Sequence, residues 1–201
     1  MQLELRHWLA ILVTWVLLVN HWARDCIGAL EIPLESNSTG YGLTPRQYNS
    51  LSSIYFLPNA LVPIIAGVIS QRNGGAATFV GFLRVLMLGN VLVAAGAIVA
   101  DSIKIVPAHS DVPYGLTLAG RALMGIAYEA VDVVGPVGLL APRFTTEWAL
   151  VVGLINGFNR AGSVLGFLLG PALLHSHGLA AAILVPSVLG MTALGAGMIC
   201  K

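Results

Sequence analysis

Charge is what this sequence has least of. Lys, Arg, Asp and Glu together make up 9% of its 201 residues, against the quarter or so usual for a soluble domain. A chain this poor in charge, 57% apolar and with a mean hydropathy of +0.84, is an integral membrane protein. Its net charge of +1 gives no basic field to recruit nucleic acid or an anionic surface. Cysteine is nearly absent too. Cys26 and Cys200 fall near opposite membrane faces in the topology below, which excludes a disulfide between them, and neither has a CxxC neighbour. No metal-ligand set can be assembled: His175 and His177 flank Ser176 in a short turn without further ligands, which reads as a solvated pair. The acidic residues have no nucleophile elbow, zinc-binding His pair or phosphate-cradling glycine loop beside them, so neither an enzyme nor a cofactor is expected.

What the sequence does have is long apolar runs. They predict an all-α membrane protein of one domain, 1–201, with six spans at about 8–30, 48–69, 76–100, 114–139, 149–173 and 179–200. Arg6 before the run Trp8 to Val19 would suit a cleavable leader. However, Asn20, His21, Trp22, Arg24 and Asp25 follow where small residues would be needed, so the first helix is read as retained. The loop Glu31 to Arg46 carries Asn37-Ser38-Thr39, a glycosylation sequon usable at Asn37 only on the luminal or extracellular side. With the N-terminus cytoplasmic, Arg6, Arg72, Arg143 and Lys201 lie inside, the arrangement that basic residues favour. Both termini are then cytoplasmic. Thr44-Pro45 reads as a helix N-cap followed by proline at the first helical position. Pro58 and Pro63 free carbonyls and bend the second span, which suits either a packing kink or a cavity lining.

The stretch from Gly120 to Arg160 concentrates charge where lipid would penalise it. Arg121, Glu129 and Asp132 fall in the fourth span and Arg160 in the fifth, and each ionised side chain costs roughly 2.5–3.5 kcal/mol near the bilayer centre on insertion scales. At about 1.5 Å rise per residue, Glu129 and Arg160 come to one height on antiparallel neighbours. Glu129 and Asp132, three apart, share a helical face. Two arrangements fit: a structural Glu129–Arg160 ion pair, or a cavity in which the two groups take the two ends of a zwitterionic or polar solute. Gly162, Gly166 and Gly170 in the fifth span, and Gly190, Gly195 and Gly197 in the sixth, are stripes that let helices approach closely.

Six such spans, with a tight turn between the second and third and polar residues in the first, fourth and fifth, resemble the N-terminal half of a major facilitator superfamily transporter. Asp25-Cys26-Ile27-Gly28-Ala29-Leu30, Ser53-Ile54-Tyr55-Phe56-Leu57-Pro58-Asn59, Gly120-Arg121, Glu129 and Arg160 look like the domain-containing protein 1 branch, which comprises lysosomal dipeptide transporters. The resemblance implies that Glu129 engages a peptide's amino group and Arg160 its carboxylate, with Asp25, Tyr55 and Asn59 lining the path. It also implies a lysosomal or other endomembrane location and a glycosylated accessory subunit. The superfamily's turn after span two reads Gly-x-x-x-Asp-Arg-x-Gly, whereas this chain has Gly67, Gln71, Arg72 and Gly74. The acid of the usual cytoplasmic lock is therefore missing, although Arg72 and the two glycines remain. Transport of small zwitterionic solutes by alternating access then requires a second half or a homodimer, because the rocking occurs between two halves around one site. The alternative is a truncated or non-transporting membrane protein acting as a subunit or scaffold.

Overall fold

The computed structural model describes residues 4–36, 41–103 and 111–199, and those residues form helices and turns without strands. Asn37 and Cys200 lie outside the described residues. Helix α1 runs Leu5–Ala29, followed by one short turn of helix, α2, Glu31–Glu35. Thr44 then caps α3, Pro45–Phe56: its hydroxyl accepts from the Gln47 amide at 3.3 Å, and Gln47 Oε1 accepts from the Thr44 amide at 2.9 Å. This reciprocal box satisfies two amides that the first turn of a helix leaves unpaired.

The second span is broken. Helix α3 passes through a tight 3₁₀ turn, Leu57–Ala60, into α4, Val62–Asn73, with a bend of 46°. Pro58 and Pro63 lack amide hydrogens, so the ladder cannot continue straight through them. Gly74, at φ 85°, then reverses the chain into α5, Gly75–Ile103. Helix α6, Asp111–Val133, widens into a π-helical stretch, Val134–Leu140, at Gly135-Pro136 and closes in a 3₁₀ turn, Ala141–Arg143.

Helix α7, Trp148–Ile199, is two helical arms joined at a kink at Gly178, whose φ 87° and ψ 175° are not helical. A straight helix of 52 residues would run about 78 Å, more than twice the hydrocarbon thickness. Contacts with α1 show that the two arms run in opposite directions. Cys26 lies against Gly170 of the first arm and its thiol donates to Ala182 O of the second at 3.3 Å. Nearer the start of α1, Leu18 meets Gly162, while Trp15 Nε1 donates to Thr192 Oγ1 at 3.4 Å.

Among the described residues, four helices are long and apolar enough to cross a membrane: 5–29, 75–102, 111–143 and 148–192; the bent pair α3 and α4 makes five. The expectation of six spans is met in part: the expected fifth and sixth segments are two helical arms joined at Gly178, whose dihedrals are not helical.

The bundle has two groups of helices. Helix α1 packs along both arms of α7, and α6 packs on α5, α3 and α4; α5 and α7 join the two groups, whereas α1 and α6 touch only sparsely. Glycines set the closest approaches. Gly89 of α5 and Gly120 of α6 are so close that a Cβ on either would fall 2.6–2.8 Å from the other's carbonyl oxygen, the small-residue packing that brings membrane helices together. A seam remains between the groups, and the buried polar side chains of His21, Arg121 and Asn159 lie in it.

Candidate functional site

The seam is built from α1, the α3–α4 break, α6 and the first arm of α7. From α1, Arg24 forks onto its neighbour Asp25, Nε to Oδ1 at 2.5 Å and Nη2 to Oδ2 at 2.7 Å. The same guanidinium reaches α6, donating to Tyr128 OH at 3.1 Å, and α7, donating to Ser163 Oγ at 3.3 Å. One bidentate pair thus cancels two charges and leaves the spare donors to tie three helices together.

A second cluster lies one turn away. Asp132 of α6 accepts from Asn159 Nδ2 of α7 at 3.1 Å, and His21 Nε2 of α1 stands 3.7 Å from the same carboxylate oxygen. The His21 ring meets Tyr128 edge to face, centroids 5.3 Å apart, and Tyr128 meets Tyr55 of α3 in the same manner at 5.7 Å.

The positions read as binding or gating from the sequence divide in three. Asp25, Tyr55, Asn59, Glu129, Arg121 and Asp132 are all at the seam. Asn59, in the turn that breaks the second span, donates from Nδ2 to Glu129 Oε1 at 3.4 Å. Arg121 is 3% exposed. Its guanidinium carbon lies 4.3 Å from the centre of the Tyr55 ring, and it donates to Leu51 O and Arg24 O, each at 3.4 Å. No solute reaches it there, so its contacts join α1, α3 and α6. Arg72 and Gly74 are exposed at the turn between α4 and α5, with Gly67 earlier on α4.

Arg160 is the exception. It is exposed on α7 and makes neither a hydrogen bond nor an ion pair among the described residues. The direct Glu129–Arg160 pair is therefore not formed, and the picture of α6 and α7 as packed neighbours is corrected, because α7 spends its close packing on α1 and α5. The two helices instead meet through the Asp132–Asn159 bridge, which Glu129 and Arg160 flank, one on each helix. Two opposite charges stand near one bridge with no direct bond between them.

Sequence reasoning missed Tyr128, Asn159 and Ser163, and did not single out His21. The available signal was spacing: His21, Arg24 and Asp25 fall within one turn of each other, as do Asn159 and Ser163, at i, i+3 and i+4 in otherwise apolar helices. A separate groove of about 570 Å³ between α1 and α7, reaching from His7 to Leu18 and from Phe144 to Phe158, contains none of the seam residues. Its lining is overwhelmingly apolar.

Comparison with known proteins agrees with this architecture. A search among curated proteins returns no match. The sequence profile of the Major Facilitator Superfamily matches residues 10–199, nearly the whole chain. A charged seam between two groups of membrane helices, with a broken second span and small-residue packing, is thus met in a chain that belongs to the Major Facilitator Superfamily.

Proposed function

We propose that the chain is the N-terminal half of a carrier that moves small zwitterionic solutes, dipeptides or amino-acid-like molecules, across a membrane by alternating access. Membership of the superfamily supports membrane transport in general. The observation that carries the solute class is the unjoined pair: Glu129, held by Asn59, and Arg160, exposed and without a partner among the described residues, on the two helices that the Asp132–Asn159 bridge connects. An exposed guanidinium midway along an apolar helix is costly against lipid and favourable against a carboxylate in a cavity. A solute with an ammonium and a carboxylate completes both. Asp25, Tyr55 and Asn59 line the approach in this scheme.

Six crossings follow if each arm of α7 spans on its own, as their opposite directions on α1 suggest. A second half, or a second copy, would then cover the apolar surface of Phe56, Leu61 and Ile64 on the broken span and of Leu154, Phe158 and Phe167 on α7, all exposed. The endomembrane location and an accessory subunit are carried by the resemblance to dipeptide transporters, the cytoplasmic termini by Arg6, Arg72, Arg143 and Lys201, and glycosylation at Asn37 by its sequon.

The test is uptake of labelled dipeptides into proteoliposomes. Wild type is expected to exchange internal for external dipeptide, with Glu129→Gln and Arg160→Ala each slowing it by about tenfold or more, the scale of losing one charge-assisted contact. Absence of exchange by wild type, under any gradient, would rule this function out.

A further inference from the structure

We propose that the groove between α1 and the first arm of α7 is a phospholipid site, which holds one acyl chain along its length and the lipid's phosphate at its mouth, on Arg143 beside Arg6. The site rests on the membrane-spanning fold and not on the solute class proposed above.

The groove has the length of an acyl chain. On α1 it reaches from His7, in the first turn of the helix, to Leu18. At about 1.5 Å per residue that stretch covers about 17 Å, close to the roughly 15 Å of hydrocarbon in one leaflet. It therefore runs from one membrane face to about the middle of the bilayer, with a volume of about 570 Å³. Its depth is apolar: Ile11, Leu18, Leu154, Ile155 and Phe158 line it. The two polar side chains among them spend their hydrogens elsewhere. Thr14 Oγ1 donates back to Ala10 O at 2.7 Å, and Trp15 Nε1 donates to Thr192 Oγ1 on the second arm of α7 at 3.4 Å. Water has few partners in such a place, and a polar solute finds little to orient it.

The mouth, at His7, Phe144 and Glu147, is charged. Arg6 is already balanced there: its Nε lies 2.7 Å from Glu4 Oε2, its Nη1 3.6 Å from Glu147 Oε2, and its guanidinium carbon 5.3 Å from the centre of the Phe144 ring. Arg6 Nη1 also donates to Arg143 O at 3.5 Å, which brings the two arginines to the same corner of the bundle. Arg143 is not balanced. It is exposed, donates from Nη1 to Leu139 O at 2.6 Å, and has no carboxylate at ion-pair distance among the described residues. Its remaining N–H groups form a fork suited to phosphate oxygens. An apolar depth one leaflet long, with an unpaired guanidinium at the membrane-face end, complements a phospholipid in both shape and charge. Leu154 and Phe158 also belong to the surface that a second half would cover, so the acyl chain lies beneath that half where the two meet.

The experiment is native mass spectrometry of the full chain, reconstituted with dioleoyl phosphatidylcholine and released from a non-ionic detergent. Wild type is expected to keep one phospholipid per chain. Ala10→Trp puts an indole into the groove, which Ala10 lines, and should abolish that retention. Arg143→Ala, at an exposed turn where the fold is not at risk, should weaken it about tenfold, the scale of one hydrogen bond to a charged group. Leu88→Trp, on an exposed face of α5 outside the groove, should retain the lipid as wild type does. A wild type that carries no phospholipid, or detergent alone, overturns the site. So does a lipid-free dimer, which would mean that a second copy covers the groove. Equal retention by Arg143→Ala and wild type, or equal loss in Leu88→Trp and Ala10→Trp, overturns it as well, because the lipid would then be held without the groove and its mouth. None of these readings involves a dipeptide, so the solute class stands or falls separately.

Discussion

Arg24 shows how a charge is kept inside a membrane protein. Its guanidinium spends two donors on the adjacent carboxylate and two on hydroxyls from other helices, so ionic and hydrogen-bonding needs are met together. Arg24→Ala leaves Asp25 as an unpaired carboxylate in a mostly buried place and is expected to lower stability by about 3 kcal/mol. Adding Asp25→Ala should recover at least half of that loss, read as the thermal midpoint in detergent. If the double variant is no more stable than the single one, the fork is not what holds Asp25. At this scale the sequence was legible where a residue type is expensive in lipid. Asp25, Glu129, Arg121 and Asp132 could be marked because ionised groups stand out in apolar runs. Tyr128, Asn159 and Ser163 could not, because their partners come from other helices and nothing local in the sequence reports them.

Helix α1 and the first arm of α7 depend on the absence of side chains. A Cβ on Gly166 would fall 3.0 Å from Trp22 O and one on Gly170 3.0 Å from Cys26 Sγ, while Gly162 abuts Leu18 O and His21 Cβ. Gly153 and Gly157, on the same helix, have nothing within 4 Å. Gly162→Ala is therefore expected to cost about 2 kcal/mol or more through forced separation of the helices. Gly157→Ala should be neutral or stabilising by up to about 1 kcal/mol, since alanine is the better helix former. Equal effects of the two changes, measured by unfolding in detergent, would refute the close approach. At the edge of the bundle, Tyr41 clamps the first loop by its 2.9 Å bond to Thr117 Oγ1. Burial pushes its phenol up to about 12, so the clamp holds at any pH below about 10, where an unfolded tyrosine begins to ionise, and is lost as pH climbs through the higher value. The stripe of glycines, the Thr44 cap and the two prolines of the broken span were all legible, because each has a local backbone cause. The kink at Gly178 was not: a glycine before an apolar run is as consistent with a single-residue kink between two helical arms as with a longer loop.

The whole molecule is two groups of helices with a charged seam between them. Hydropathy could predict spans but not which of them pack together, so the sequence order of the fourth and fifth segments suggested neighbours where the fold puts α7 on α1 and α5. That rearrangement leaves Glu129 and Arg160 without a direct bond between them. The most direct measurement is the affinity for a dipeptide against its N-acetylated and C-amidated forms, in wild type, Glu129→Gln and Arg160→Ala. Acetylation is expected to weaken binding by about tenfold or more in wild type and little in Glu129→Gln, with amidation behaving likewise toward Arg160→Ala. If blocking either end weakens binding as much in the matching variant as in wild type, the two charges do not hold the two ends of the solute.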